Sequence, residues 1–204
     1  MIIYKRQLMQ PGTILILNGT SSSGKTTLIR MLQGALDQPF LELGLDKLIW
    51  MLPKRYFSPP LWDEVLGKAD QAGEYGHKLV HGMHRAIRSL AENGLNILAD
   101  HVLIEPDWVI DCANQLCHLP AYLIGIHCEL QILEQREANR KDRTLGQARR
   151  QFHKVHSHGI YDFTIDSSES TPEENIAQIL AFLKSSPPPK ALKQLGLKSQ
   201  LYPG

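Results

Sequence analysis

The run Thr13–Asn18 is apolar and β-branched almost throughout, and at Gly19 it gives way to Gly-Thr-Ser-Ser-Ser-Gly-Lys-Thr, residues 19–26. A strand that is apolar on both faces has to be buried on both, which places it at the centre of a parallel sheet covered by helices. The eight residues that follow fit the pattern G-x-x-x-x-G-K-[S/T] in full. Glycines there let successive N–H groups turn inward on a polyphosphate, and a helix beginning near Lys25 adds the positive end of its dipole. Gly19, Thr20, Ser21, Ser22, Ser23, Gly24, Lys25, Thr26 and Thr27 are therefore expected to cradle nucleotide phosphates. Lys25 would neutralise the β and γ phosphates, and the Thr26 hydroxyl would face Mg²⁺.

The rest of the chain alternates in the same way. After the helix from Lys25 toward Leu36, strands are expected at Phe40–Leu43, Asn96–Asp100, Ala121–Cys128 and Tyr161–Asp166. Helices are expected at Glu74–Glu92, Pro106–Leu116, Glu129–Asn139, Gln147–Val155 and from Thr171 to Lys184, with a short segment Lys47–Leu52 opened by Asp46. The last long helix carries three agreeing start signals: Thr171 as cap, Pro172 at the first helical position and Glu174 at the third. Such alternation predicts a three-layer α/β sandwich with a parallel five-stranded sheet, the P-loop NTPase architecture. Residues 1–185 read as one domain, with an acceptor region at about 44–75 and a lid at about 136–147. Residues 186–204, opening on Ser-Pro-Pro-Pro-Lys, read as a polar tail without a core of its own.

The net charge of +1 over 204 residues gives no electrostatic footing for nucleic acid or an anionic membrane. Cys112, Cys117 and Cys128 form no CxxC pair, and the apolar run at the N-terminus is too short for a signal peptide or a membrane span. The sequence reads as that of a cytoplasmic protein. Oligomeric state leaves no mark in it.

Ile97-Leu98-Ala99-Asp100 is an apolar strand ending in a carboxylate, the form of a segment that helps hold Mg²⁺. The order Asn-Lys-x-Asp needed to read guanine is absent, since residues 139–142 run Asn-Arg-Lys-Asp; ATP is the expected nucleotide. Arg136 and Arg140 are four apart on one helical face, and Arg143 follows before Gly146. Arginines so grouped suit a lid that meets the charge of a transferring phosphoryl group, Arg136 nearer the nucleotide and Arg140 and Arg143 nearer the chemistry. They equally suit a solvated helix end paired with Glu134 and Glu137. Asp46 suits two roles as well: a base for an acceptor hydroxyl, or a cap for the short helix after it.

These residues together resemble the chloramphenicol phosphotransferase-like kinases. The similar segments are Ile16–Gly19 with the serine-rich loop, Leu43–Ile49, Ile97–Asp100, Arg136–Arg143 and Val155-His156-Ser157-His158-Gly159-Ile160-Tyr161-Asp162. The resemblance implies transfer of the ATP γ-phosphate to a hydroxyl of a small acceptor, with Asp46 as base, Mg²⁺ on Thr26 and Asp100, and an adenylate-kinase-like fold with a lid near Arg140 and Arg143. A sugar-nucleotide kinase of the zeta-toxin kind, and a nucleotide-dependent regulatory protein that phosphorylates nothing, stay open beside it. The chain departs from the family pattern at His101, where an acidic residue is expected, and in Pro53–Gly73, which carries Tyr56, Phe57 and Trp62.

Two histidine groups stand apart from these motifs. His77, His81 and His84 fall on one helix face, but no carboxylate or cysteine spacing accompanies them, so they read as an ordinary polar face rather than a metal site. His153, His156 and His158 straddle a helix end, where imidazoles can favour the dipole.

Overall fold

Strand β1 (Ile14–Asn18) is fully buried, and its alternation decides the layers. Ile14 and Ile16 face one side of the sheet and Leu15 and Leu17 the other, each in a separate apolar cluster. The structure, a computed structural model, describes residues 10–57, 73–139, 146–185 and 187–201. After β1 come α1 (Lys25–Ala35), β2 (Phe40–Gly44), α2 (Leu45–Trp50), a short 3₁₀ turn (Lys54–Phe57) and α3 (Glu74–Glu92). Then follow β3 (Asn96–His101), α4 (Pro106–Leu116), β4 (Ala121–His127), α5 (Leu130–Ala138), α6 (Gln147–Phe152), β5 (Phe163–Asp166), α7 (Pro172–Lys184) and α8 (Ala191–Leu201).

The five strands pair in the order β2-β3-β1-β4-β5, all parallel. On one face, Ile14, Ile16, Ile97, Ala99 and Leu123 pack against Val80, Met83 and Ile87 of α3 and Trp108, Cys112 and Leu116 of α4. On the other, Leu15, Leu17, Leu98, Ile124, Ile126 and Ile165 pack against Leu28, Ile29 and Leu32 of α1 and Ile176 and Ile179 of α7. The sheet is thus covered on both sides, as an all-parallel sheet requires. The expected start of α7 is present in full: Thr171 accepts from the Glu174 N–H while the Glu174 carboxylate accepts from the Thr171 N–H.

Two expectations are corrected. The segment read as a polar tail contains α8, whose Ala191, Leu192 and Leu195 are buried in the same cluster as α3 and α4. Its start is fixed by Asp162, whose Oδ1 accepts from the N–H groups of Lys190 and Ala191 at 2.7 and 3.0 Å, and Tyr122 Oη donates to the Pro187 carbonyl at 2.9 Å. Prolines and polar residues hid an apolar stripe of i, i+1, i+4 spacing that suffices once a waiting surface exists. The second correction is at α2: the helix begins at Leu45 with Gly44 as its cap, so Asp46 sits inside the first turn and is not the cap residue.

Candidate active site

The carboxyl ends of β1, β3 and β2 lie side by side, and the loops leaving them build the site. In a parallel open sheet this is the edge where ligands bind. The phosphate loop leaves β1. Ser22 and Gly24 hold positive φ angles of 66° and 92° there, the kind of backbone turn from which anion-binding nests are built. Gly24 carries that conformation without a Cβ penalty; Ser22 carries it at some strain, of the kind stored at functional sites. Lys25, 6% exposed, folds back to donate to the carbonyls of Gly19 (2.9 Å) and Thr20 (2.7 Å) and lies 3.7 Å from Asp100 Oδ1.

The loop also fits a bound polyphosphate by what it leaves unsatisfied. The Oγ atoms of Ser21, Ser22 and Ser23 are buried and have no hydrogen-bond partner. Buried hydroxyls left this way cost free energy, roughly 1–3 kcal/mol each, unless a ligand or water takes them. Three around one loop amount to a prepared acceptor for an anion.

Asp100 closes β3 beside the loop. Its Oδ2 accepts from Thr26 Oγ1 at 3.2 Å, a hydroxyl–carboxylate pair of the hard-oxygen type that suits Mg²⁺. On its other side, Asp100 is the register partner of Gly44 at the end of β2. A Cβ on residue 44 would stand 3.0 Å from Asp100 Cβ, so glycine is what lets the two strand ends approach. Asp46 follows two residues later, in the first turn of α2. The sheet order therefore gathers Lys25, Thr26, Asp100 and Asp46 onto one edge.

The arginines expected in a lid divide. Arg136 ends α5 with its guanidinium donating to the Ser167 carbonyl (2.9 Å) and hydroxyl (3.3 Å) and to Cys128 Sγ (3.5 Å), at the carboxyl ends of β4 and β5. Arg140 and Arg143 lie outside the described residues. Glu137 is buried in the last turn of α5. Its carboxylate accepts from the Gly146 and Ala148 N–H groups at 2.7 and 2.9 Å, joining α5 to α6. Glu134 pairs with Arg149. The expected acceptor residues Trp62 and 58–72 as a whole also lie outside the described residues; of the stretch before them, Trp50 and Met51 are largely exposed.

Beneath the loop lie two hydrogen-bond networks that the sequence did not announce. The first centres on Asn18, fully buried. Its Oδ1 accepts from the Leu103 N–H (2.8 Å), and its Nδ2 donates to the Val155 carbonyl (2.9 Å) and Tyr161 Oη (2.7 Å). Tyr161 Oη meets His156 Nδ1 at 2.6 Å, and the His156 ring stacks on His127 at 4.0 Å. Burial, with the neighbouring His127 and His158, pushes His156 down to about 4, and burial takes His158 to about 4 as well. Burial raises the Tyr161 hydroxyl, so it stays protonated and can donate. Gln151 adds a clamp from α6, its Oε1 accepting from the Ser21 N–H at 2.7 Å.

The second network explains His101. Its Nδ1 accepts from the Val102 N–H at 2.8 Å, so the ring must carry its proton on Nε2. That Nε2–H then donates to His84 Nε2 at 2.7 Å, and His84 Nδ1–H donates to Asp111 Oδ2 at 2.7 Å. The tautomers follow from the bonding pattern. Burial holds both imidazoles below their usual pKa, and although burial works against it, the bond from His84 keeps Asp111 below the usual carboxylate range. The chain ties α3 and α4 to the end of β3, where the His101 carbonyl accepts from the Gly19 N–H at 3.3 Å.

The fold and this edge define a class: small-molecule kinases built on a phosphate loop. Among solved structures, the chain resembles a sugar kinase from Janibacter at a TM-score of 0.65 and 14% identity, over 85% of this chain and 95% of that one. It resembles a gluconokinase from Sinorhizobium meliloti at 0.62 and 15%, over 94% and 99%, and a shikimate kinase from Acinetobacter baumannii in complex with shikimate at 0.61 and 16%, over 88% and 96%. A Mycobacterium tuberculosis protein provisionally named an O-phosphotransferase is 26% identical over 92% of this chain and 89% of its own length. The chain belongs to the chloramphenicol phosphotransferase-like protein family, which it matches over residues 12–184. It is accordingly an ATP-dependent small-molecule phosphotransferase. Among the described residues, no helix is long and apolar enough to cross a membrane.

Proposed function

We propose that the reaction at this edge is transfer of the ATP γ-phosphate to a hydroxyl of a small acceptor, with Asp46 as the acceptor-side base. The observation that carries the reading is the position of Asp100, which touches Thr26 of the loop on one side and backs onto Gly44, two residues before Asp46, on the other. In this reading Asp46, in the first turn of the helix that follows β2, brings its carboxylate to the acceptor at the mouth of β3.

In this reading the loop N–H groups and the Ser21, Ser22 and Ser23 hydroxyls bind the phosphates, and Lys25 turns from the loop carbonyls toward the β and γ oxygens. Thr26 and Asp100 hold Mg²⁺, which when bound neutralises phosphate charge. Asp46 orients the acceptor hydroxyl and takes its proton as the new O–P bond forms and the bond from γ-phosphorus to the β,γ-bridging oxygen breaks, releasing ADP. Arg136 lies toward the nucleotide, and Arg140 and Arg143 would meet the charge on the transferring group.

The acceptor belongs to the hydroxylated small molecules. The names of the family and of the structural neighbours put chloramphenicol, shikimate and gluconate on the test panel, with nucleosides, sugar nucleotides and aminoglycosides beside them. ADP release with Mg-ATP is expected to rise with one of these and to fall to background in Lys25→Ala and Asp46→Asn. Slow ATP turnover that no acceptor stimulates and that Asp46→Asn leaves unchanged would mark a nucleotide-dependent regulatory protein instead.

A further inference from the structure

On the outer side of α3 and α4, the fold assembles a donor set that the catalytic reading does not use. His77 and His81 stand one turn apart in the first half of α3, and Asp107 enters from the first turn of α4. Asp107 Oδ2 lies 2.9 Å from His81 Nε2 and 3.6 Å from His77 Nδ1, and one ligating atom from each residue falls within 4.8 Å of the others. The sequence pattern of α3 alone showed no carboxylate at ligand spacing; the carboxylate comes from a helix that begins some thirty residues on, brought alongside by packing of Val80 and Met83 against α4.

We propose that His77, His81 and Asp107 form a site for a divalent transition-metal ion of the zinc type. Three observations carry it. His81 Nε2 is buried and lacks a hydrogen bond, although a carboxylate oxygen lies 2.9 Å away. The approach direction is wrong for N–H···O, and a shared cation satisfies both atoms. Two imidazole nitrogens with one carboxylate oxygen are borderline donors, suited to Zn²⁺ and its neighbours rather than to Mg²⁺ or Ca²⁺, which take oxygen. Two histidines at i, i+4 on one helix share a face, the spacing by which helical zinc sites present imidazoles. Three protein ligands leave one tetrahedral position open. All three side chains are partly exposed, so an ion has a way in.

Two forces oppose the ion. The N-terminal ends of α3 and α4 carry partial positive charge, offset here by Glu74 and Asp107 in their first turns. The indole Nε1–H of Trp108 donates to His77 Nδ1 at 3.0 Å, and an ion taking that lone pair releases the indole. That competition supplies a reporter. The site also lies on the carboxyl edge of the sheet, because α4 follows directly from β3. A bound ion would stand on the same edge as the phosphate loop, separate from the oxygen ligands of Thr26 and Asp100.

The test uses the full chain, stripped with EDTA and dialysed, titrated calorimetrically with ZnCl₂ in excess Mg²⁺ and without nucleotide. One equivalent of Zn²⁺ is expected, bound at least ~10-fold more weakly in His77→Ala, His81→Ala and Asp107→Asn, since even outer-sphere losses cost that much. The indole N–H resonance of Trp108 should shift on adding Zn²⁺ to the wild type and not to His77→Ala. His81→Gln keeps a polar side chain on the helix and should lose the ion like His81→Ala; ADP binding in each variant checks the fold. Absence of a stoichiometric Zn²⁺ site in the wild type, or equal Zn²⁺ affinity in the wild type and the two alanine variants, overturns the proposal.

Discussion

Asn18 is the last residue before the phosphate loop, and its replacement by alanine tests whether the loop rests on the network beneath it. The truncation strands three buried groups. The Leu103 N–H loses its acceptor at 2.8 Å, a loss of about 2 kcal/mol for an unsatisfied buried donor. The Val155 carbonyl loses its 2.9 Å donor, and the one Tyr161 proton is already given to His156, so about 1 kcal/mol is lost there. Tyr161 keeps His156 and gives up only an accepted bond, roughly 0.5 kcal/mol. The sum is about 3 kcal/mol, after allowing for partial rescue by a water in the polar space left behind. For a chain of this length, that lowers the melting temperature by roughly 6–12 °C. Urea unfolding followed by far-ultraviolet circular dichroism, fitted with a common slope, reads the change directly. A double-mutant cycle with Tyr161→Phe isolates the shared bond and should return a coupling of about 1 kcal/mol. A total loss under about 1 kcal/mol, set against the penalty expected for one stranded buried donor, would refute the reasoning. So would a cycle that closes to zero.

Other outcomes follow from the same structure. The unfolded chain protonates His156 and His158 near 6.5, whereas the folded one holds both neutral down to about 4. The unfolded state therefore binds more protons between those values, and stability, complete above about 6.5, falls as pH drops toward about 4. After discounting for partial exposure, the loss should be roughly 1–2 kcal/mol per histidine, read by urea titration at pH 7 and pH 4.5; Tyr161→Phe, which frees His156 Nδ1 to hold a proton in the fold, should make the profile shallower. A pH-independent midpoint across that window would contradict the burial account. Leu192→Ala should cost about 2–3 kcal/mol, because α8 belongs to the core. A change below about 0.5 kcal/mol, the range of surface substitutions, would return that segment to the status of a tail.

What the sequence disclosed was what local physics writes into neighbouring residues. The ends of α3 and α4 were legible to the residue, because Asn93-Gly94 stops the first and Pro106 starts the second. The capping box at Thr171 was legible because both halves lie within four residues. The phosphate loop was legible because its chemistry is contiguous. Asp46 was legible as a carboxylate after the second strand, though its alternative as a helix cap falls to Gly44, whose extended backbone begins α2. What stayed hidden depends on elements meeting in space. Asp111 has no local signal, and it matters only because α4 carries it to His84 on α3, which in turn meets His101 at the end of β3. His101 looked like a departure from pattern; it is a neutral link in that chain. Gln151 is one glutamine among many until α6 packs its amide against the Ser21 N–H. Ala191, Leu192 and Leu195 form a stripe too short to declare a helix without the surface it covers.

The most direct test of the central claim follows the label from γ-labelled ATP in the presence of Mg²⁺ and the acceptor that stimulates ADP release. The account predicts that label appears on the acceptor in step with ADP, and that Asp46→Asn lowers this transfer by about 10²-fold or more while ATP affinity is kept. Label found only in inorganic phosphate, at a rate that Asp46→Asn does not change, would contradict it.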